Sequence, residues 1–383
     1  MSGYYLKYAL FCCLILIWPS CRHNSKEHVD SEFIRKDIKY AERFDLTQKD
    51  GYSILIIKNP WQGAVNIIQT YYLIKDNSKL PAGVDSQYII RVPVKRIICT
   101  STTHLSMISA LGEEETIKGI SFANYIYEKR ICDLIENKNI ADVGYDDNLN
   151  KELVIQISPD LVMVFGIGSE SSGYINKLKE LGIRILFNAE YLETDPLGKA
   201  EWIKVFGALY SKEKEADSIF TPIEEEYNRL KSYIEKNCAE KPSVLLGLPW
   251  KDTWFISPGN SYICRIISDA GGNYLWKNTR SEISMPFGLE NVYVKAINAD
   301  YWLNTGSINS LNEITSIDDR LCDLSSFRNG NVYNNNKRVS PGGGYDYWES
   351  GCINPQRILK DIAAIIHPGL FPDYSLYYYK KIE

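Results

Sequence analysis

Residues 211–237, SKEKEADSIFTPIEEEYNRLKSYIEKN, are the stretch whose reading decides the architecture. The apolar residues Ala216, Ile219, Phe220, Ile223, Tyr227, Leu230 and Ile234 recur at steps of three and four, the period of one helix face. Most positions between them are charged. One helix over the whole stretch is about 40 Å long at about 1.5 Å per residue, more than a crossover within one βα unit requires. It predicts a strut between two lobes. Thr221-Pro222-Ile223-Glu224 has the form of a capping box with proline at the first helical position. That local signal leaves open whether one helix spans the stretch or a lobe-one helix hands the chain to a strut of about 24 Å that begins at Pro222.

On the N-terminal side strands and helices alternate. Residues 94–99 (VKRIIC) form an apolar strand, 100–104 (TSTTH) supply N-cap residues, and LSMISALG is a helix closed by Gly112. A strand TIKGIS, a helix over 150–157, a strand after Ser158-Pro159-Asp160, a helix INKLKELG and a strand IRILFN follow. On the C-terminal side the pattern restarts with the strand SVLLGLPW, helices at 262–269 and 292–297, strands at 299–304 and 331–333, and a closing helix at 354–366. The expected fold class is α/β, with two lobes of mainly parallel sheet joined by one long interlobe helix.

Bulk properties agree with two lobes. A chain of 383 residues exceeds the size at which one core stops growing. A net charge of -5 gives no reason to expect nucleic acid as a partner. With 27 Tyr and 8 Trp, the chain has material for an aromatic binding surface.

The N-terminus carries an address. Lys7 precedes an apolar run at 8–18 (YALFCCLILIW), too short to span a bilayer but suited to a signal-peptide core. The small residue Ser20 before Cys21 resembles the lipobox of bacterial lipoproteins, which makes Cys21 the lipidated first residue of the mature chain; an uncleaved anchor and a plain secretory signal are the alternatives. Residues 22–50 are charged and unpatterned and read as a tether. Residues 51–90 form a β-hairpin extension with NPWQG as its turn, 51–210 the N-terminal lobe, 211–240 the interlobe helix and 241–383 the C-terminal lobe. Six cysteines follow residue 21, none in CxxC spacing; with four histidines in the whole chain, this argues against a structural zinc cluster. Export permits disulfides and leaves their pairing open. Cys99, inside an apolar strand, reads as a buried thiol.

Several of these segments, in this order, resemble the class III (cluster A) solute-binding proteins of ABC importers. The similarity is carried by PVKRIICTSTTHLSMISALG with IKGIS, by VGYDDNLNKELVIQISPDLVMVFG, by KPSVLLGLPW, SDAGGNYLW and LENVYVKAINADYWL, and by GGGYDYWESGCINPQRILKDIAAIIHPGLF. The resemblance implies a ligand cleft between the lobes, no enzymatic chemistry, and delivery of an iron-siderophore, haem or cobalamin-type complex to an inner-membrane permease driven by an ATPase. It further implies a monomer held at a membrane on the periplasmic side by its lipid. One glutamate on each lobe is expected to dock into the permease. Glu152, before Pro159-Asp160, matches the family spacing, and Glu290 is the nearest match in the second lobe.

Ligands of open α/β sheets meet the loops after the carboxyl ends of strands. That rule nominates Thr102 and His104, residues 165–169 beginning with Phe165, Trp250 and Trp254, and Tyr345, Tyr347 and Trp348 in a glycine-rich loop. Aromatic walls suit large planar ligands. Arg280 and Arg338 are further candidates for an anionic siderophore. A bare transition-metal carrier is not expected, since only His104 and His367 lie in the folded region and in different lobes. No GxSxG, GxxxxGK[ST], HExxH or strand-borne GxGxxG motif is present. A surface lipoprotein that captures corrinoid or haem for an outer-membrane transporter is the alternative reading.

Overall fold

The computed structural model describes residues 34–383, apart from 50, 76–77, 79–82, 146–147 and 167–171. The signal segment and Cys21 lie outside the described residues. Four sheets and one long helix organise the rest.

The lobe-one sheet has the spatial order Ile185–Phe187, Leu161–Val164, Ile97–Cys99, Ile117–Ile120, Ala141–Asp142, with every pair parallel. The three inner and edge strands Ile97–Cys99, Leu161–Val164 and Ile185–Phe187 are short and apolar throughout, as strands covered on both faces must be. The lobe-two sheet runs Asn273–Tyr274, Ser243–Leu246, Tyr301–Leu303, Val332–Asn334, Lys380–Lys381; only the last pair is antiparallel. Both lobes begin at an inner strand, build outward to one side and then return to the other. Each therefore has a point where strand order reverses: between Ile97–Cys99 and Leu161–Val164 in lobe one, and between Ser243–Leu246 and Tyr301–Leu303 in lobe two. Ligand crevices open at such points.

Glu213–Asn237 is a single helix of 25 residues with Pro222 inside it, so the second helix start offered by Thr221-Pro222 is not used. Proline in a helix interior costs about 3 kcal/mol. Here the apolar stripe runs unbroken across it, and Ala216, Phe220, Ile223, Tyr227, Leu230 and Ile234 are all buried. At roughly 1.5–3 kcal/mol for each large side chain, continuous packing outweighs one lost hydrogen bond. The helix packs on Ile203–Tyr210 of lobe one and on Pro355–Ile366 of lobe two. Tyr227 donates to Asp269 at 2.9 Å, and Lys231 pairs with the same carboxylate at 3.1 Å, fixing the strut to lobe two.

The tether expected over 22–50 is contradicted for its described part. Phe44–Lys49 is a strand paired with Tyr52–Lys58, which in turn pairs with Ile68–Lys75; Ile34–Arg35 and Ile89–Val92 complete a five-stranded sheet. Residues 39–43 carry few apolar side chains, so no pattern marked them as ordered. Their order comes from lobe one. Buried Glu201 accepts the backbone N–H groups of Lys39 (3.0 Å), Tyr40 (2.8 Å) and Ala41 (2.9 Å), and buried Glu193 those of Glu42 (3.0 Å) and Arg43 (2.9 Å). Five consecutive donors on two carboxylates form a clasp of charge-assisted bonds.

The described cysteines Cys99, Cys132, Cys238, Cys264, Cys322 and Cys352 are all free. Cys99 is buried, as expected, and burial pushes its thiol well above the usual range. Among the described residues no helix is long and apolar enough to cross a membrane.

Candidate ligand-binding cleft

The cleft between the lobes has two ends that share Trp348. The larger, of 640 Å³, sits at the strand-order reversal of lobe two, where Leu246 and Gly247 leave one strand and Asn304 leaves its neighbour. The smaller, of 380 Å³, sits at the reversal of lobe one, where Thr100, Ser101 and Thr102 follow one strand and Phe165 the next. Both therefore lie where the topology places ligand crevices.

The smaller end is aromatic. Phe122, Tyr125, Phe165, Tyr345 and Trp348 line it. Phe122 is held in the left-handed region at φ 62° and stacks on Tyr145 with ring centroids 4.6 Å apart. Phe165 meets Tyr191 edge-on at 6.3 Å. The floor is the start of helix Thr102–Ala110, capped by Ser101, whose hydroxyl accepts the N–H of Thr103. The roof is the glycine-rich loop, and its glycines have a steric cause: a Cβ on Gly342 would lie 2.0 Å from the Asn124 carbonyl oxygen, and one on Gly344 1.8 Å from that of Tyr125. Only bare backbone fits that close to lobe one. Glu349 secures the same junction by accepting the N–H groups of Tyr127 and Glu128, each at 2.8 Å. Burial pushes its carboxyl up to about 7, against the pull of those two bonds.

The larger end is polar. Lys199 is 9% exposed and stands 5.1 Å over the ring of Tyr262, so a lobe-one cation lies on a lobe-two aromatic face. It comes from Pro196–Glu201, a short helix whose every residue is buried and whose N-cap Asp195 accepts from Leu197 and Gly198. Arg43, placed by the Glu193 bond, lines the same space. Neither cation forms an ion pair among the described residues. Glu193 faces this end too, but it also takes the Trp202 indole N–H at 2.9 Å, and burial pushes its carboxyl above the usual carboxylate range.

The structure brings together Thr102, Phe165, Tyr345 and Trp348 at the smaller end, and Tyr347 and Trp348 at the larger. It separates the others from the cleft. His104 is fully buried, neither ring nitrogen has a hydrogen-bond partner among the described residues, and burial pushes its imidazole down to about 3. Its place on the inward face of the helix, two residues past Thr102, turns it into the core. Trp254 is also fully buried, donates to the Leu246 carbonyl at 2.9 Å and packs on Trp302 at 5.8 Å. Strand alternation puts it on the inner face, leaving neighbouring Phe255 to line the cleft. Trp250 is 66% exposed with Lys251 above its ring and does not line the cleft. Arg338 is occupied by Asp346 at 2.5 Å and by the rings of Tyr127 and Tyr377, and Arg280 bonds the carbonyls of Lys277 and Thr279. Residues 167–169 lie outside the described residues. Glu152 and Glu290 occupy the first turns of Lys151–Ile157 and Leu289–Ala296, both exposed; Glu290 stands 3.7 Å from Arg320.

Sequence reasoning missed Arg43, Trp61, Gln62, Lys199 and Tyr262. Lys199 had a usable signal, a lone lysine in the otherwise uncharged run PLGKA next to a buried Trp. Arg43 and the 61–62 pair had none, since no local pattern says which remote sheet will reach the cleft.

The periplasmic binding protein family model matches residues 97–337, well over half of the chain. Two lipoproteins of Methanocaldococcus jannaschii, both described as uncharacterised, are 28% and 27% identical, covering 92% and 90% of this chain and 87% of their own length in each case. A solved structure of a possible iron-binding periplasmic solute-binding protein from Staphylococcus epidermidis superposes with a TM-score of 0.56 at 17% identity, over 72% of this chain and 99% of that one. A periplasmic haem-binding protein from Pseudomonas aeruginosa gives 0.56 at 16% identity, over 76% and 98%. A vitamin B12-binding protein from Vibrio cholerae gives 0.52 at 14%, over 72% and 97%. At these identities the superpositions establish the fold alone, and it is the one expected from the strut and the two lobes. With the family match, they make this chain a member of the periplasmic binding protein family, of the class III type with two α/β lobes on one long helix.

Proposed function

We propose that the chain is the substrate-binding lipoprotein of an ABC importer, and that it captures a metal chelate of the ferric-siderophore, haem or cobalamin type in the interlobe cleft. The observation that carries this reading is the cleft itself, open at both strand-order reversals, aromatic at one end and lined by Arg43 and Lys199 at the other. Aromatic rings present large area to a planar ligand at low entropic cost. Arg43 and Lys199 favour ligands with carboxylate, catecholate or hydroxamate oxygens. Cys21 is the anchor in this reading, and Glu152 and Glu290 are the permease contacts. Both glutamates sit on exposed first turns; at Glu290 a partner's arginine would replace the Arg320 contact at 3.7 Å.

Equilibrium dialysis of the chain from Arg22 onward against haemin, cobalamin and a panel of ferric siderophores tests the ligand. Retention of none of them would sink the reading. For delivery, Glu152→Arg is expected to leave affinity intact while abolishing uptake. A loss of affinity would show that Glu152 belongs to the cleft instead.

A further inference from the structure

The family match begins at residue 97, yet the larger end of the cleft is lined by Glu42, Arg43, Trp61, Gln62, Gly63 and Ala64. All six lie in segments that enter or connect strands of the N-terminal sheet: Glu42 and Arg43 directly before Phe44–Lys49, and residues 61–64 in the loop between Tyr52–Lys58 and Ile68–Lys75. The sheet's attachment to lobe one is rigid on the side of residues 39–43, through the Glu193 and Glu201 clasp. On the side of the 59–67 loop the attachment is by backbone. The Gln62 N–H reaches the Gly166 carbonyl and the Tyr191 hydroxyl, each at 3.2 Å, and that hydroxyl donates in turn to the Gly166 carbonyl. Trp61 packs 5.2 Å from Phe187, and its Cβ approaches Gly166 so closely that a methyl there would lie 2.6 Å away. Across the cleft mouth the Gln62 amide reaches the Glu282 carbonyl of lobe two at 3.4 Å. That bond is long and exposed, so a ligand oxygen can replace it at little cost.

We propose that the N-terminal sheet is a third wall of the cleft and that Trp61 and Gln62 are specificity-determining residues. They select a chelate that sets a flat or apolar face beside the indole and an oxygen acceptor against the Gln62 amide. Without a ligand, the same amide links the wall to lobe two. This inference rests on the reading of the cleft as the ligand site.

The test compares Trp61→Ala and Gln62→Ala with Val65→Ser, which lies on the same loop, is 68% exposed and does not line the cleft. Affinities are measured for haemin, cyanocobalamin, a ferric trihydroxamate and a ferric tricatecholate. For each probe the wild type binds, Trp61→Ala is expected to weaken binding about 10-fold or more and Gln62→Ala about 5-fold, with Val65→Ser within about twofold. Unchanged affinity in both cleft variants would overturn the proposal. A second readout needs no ligand: hydrogen exchange of residues 281–288 is expected to quicken about threefold or more in Gln62→Ala and not in Val65→Ser. Wild-type protein that binds none of the probes defeats the functional reading; the wall is then judged on exchange alone, and equal exchange in wild type and Gln62→Ala rejects it.

Discussion

The two ends of the cleft are built by different means. The aromatic end is made by loops that directly follow strands of lobe one, roofed by a glycine-rich loop pressed backbone to backbone on residues 124–125. The polar end is made at a distance. Arg43 and Trp61 reach it from segments beside a sheet that precedes the family's matched span, Arg43 held by the buried carboxylate of Glu193 and Trp61 by packing on Phe187. One end depends on close packing without side chains, the other on charge-assisted bonds to backbone donors. Each should therefore fail under a different substitution.

The largest effect is expected at the polar end. Glu201→Ala strips partners from three backbone N–H groups and from Lys204, which stands 2.8 Å from the carboxylate. A loss of about 3–5 kcal/mol in denaturant unfolding is expected. A loss under about 1 kcal/mol would mean that the 39–43 segment is held by something else.

Gly344→Ala strikes the aromatic end instead. A methyl 1.8 Å from the Tyr125 carbonyl oxygen must push the loop off lobe one. About 3 kcal/mol of destabilisation follows, with Trp348 emission shifted by exposure. Substituting neighbouring Gly343, whose Cβ position has no atom within 4 Å, is a partial control; its φ of 92° carries a backbone cost of its own of about 1–2 kcal/mol.

Lys199→Met separates the ends by ligand chemistry. Removing this cation also takes a favourable charge away from buried Glu190, so unfolding is measured beside affinity. Affinity for an anionic chelate is expected to fall by about 2 kcal/mol, and that for a neutral one by less than about 0.5 kcal/mol. Equal losses for the two, by calorimetric titration, would remove Lys199 from ligand recognition.

A further effect is spread over a range of pH. The native carboxyl of Glu349 is raised from its ordinary 4.5 to about 7, so the folded chain keeps this proton to higher pH than the unfolded chain does. The stability it contributes is complete below pH 4.5 and is lost as pH rises to about 7, by at most about 1.4 kcal/mol per pH unit. Glu349→Gln has no proton to lose. The difference between the two unfolding profiles should show that slope, and parallel profiles would place Glu349 outside the junction.

Lobes, strut and most strand-helix alternation were legible because they follow from periodicity, and periodicity survives in any context. Pro222 left one helix or two undecided because its signal is local, while the continuous stripe from Ala216 to Ile234 acts over the whole helix. Residues 39–43 looked like a tether for the converse reason: their partners Glu193 and Glu201 lie more than 140 residues away. At the site, the rule that nominates residues after strands gives a position along the chain and no side-chain direction. His104 and Trp254 follow or occupy strands as the nominated positions require, yet face the core. Trp348 was found because its loop composition is unusual, and it turned out to be shared by both ends.

Trp348 therefore offers the most direct measurement. It is 51% exposed at the boundary between the two ends, so a ligand in the cleft must come close to its indole. Fluorescence titration of the chain from Arg22 onward, wild type beside Trp348→Phe, is run with haemin, cobalamin and ferric siderophores. Saturable quenching of the wild type by at least one probe, with a smaller amplitude in the variant, is the predicted result. Absence of saturable quenching by every probe, or equal amplitudes in the two proteins, would contradict a ligand cleft centred on Trp348.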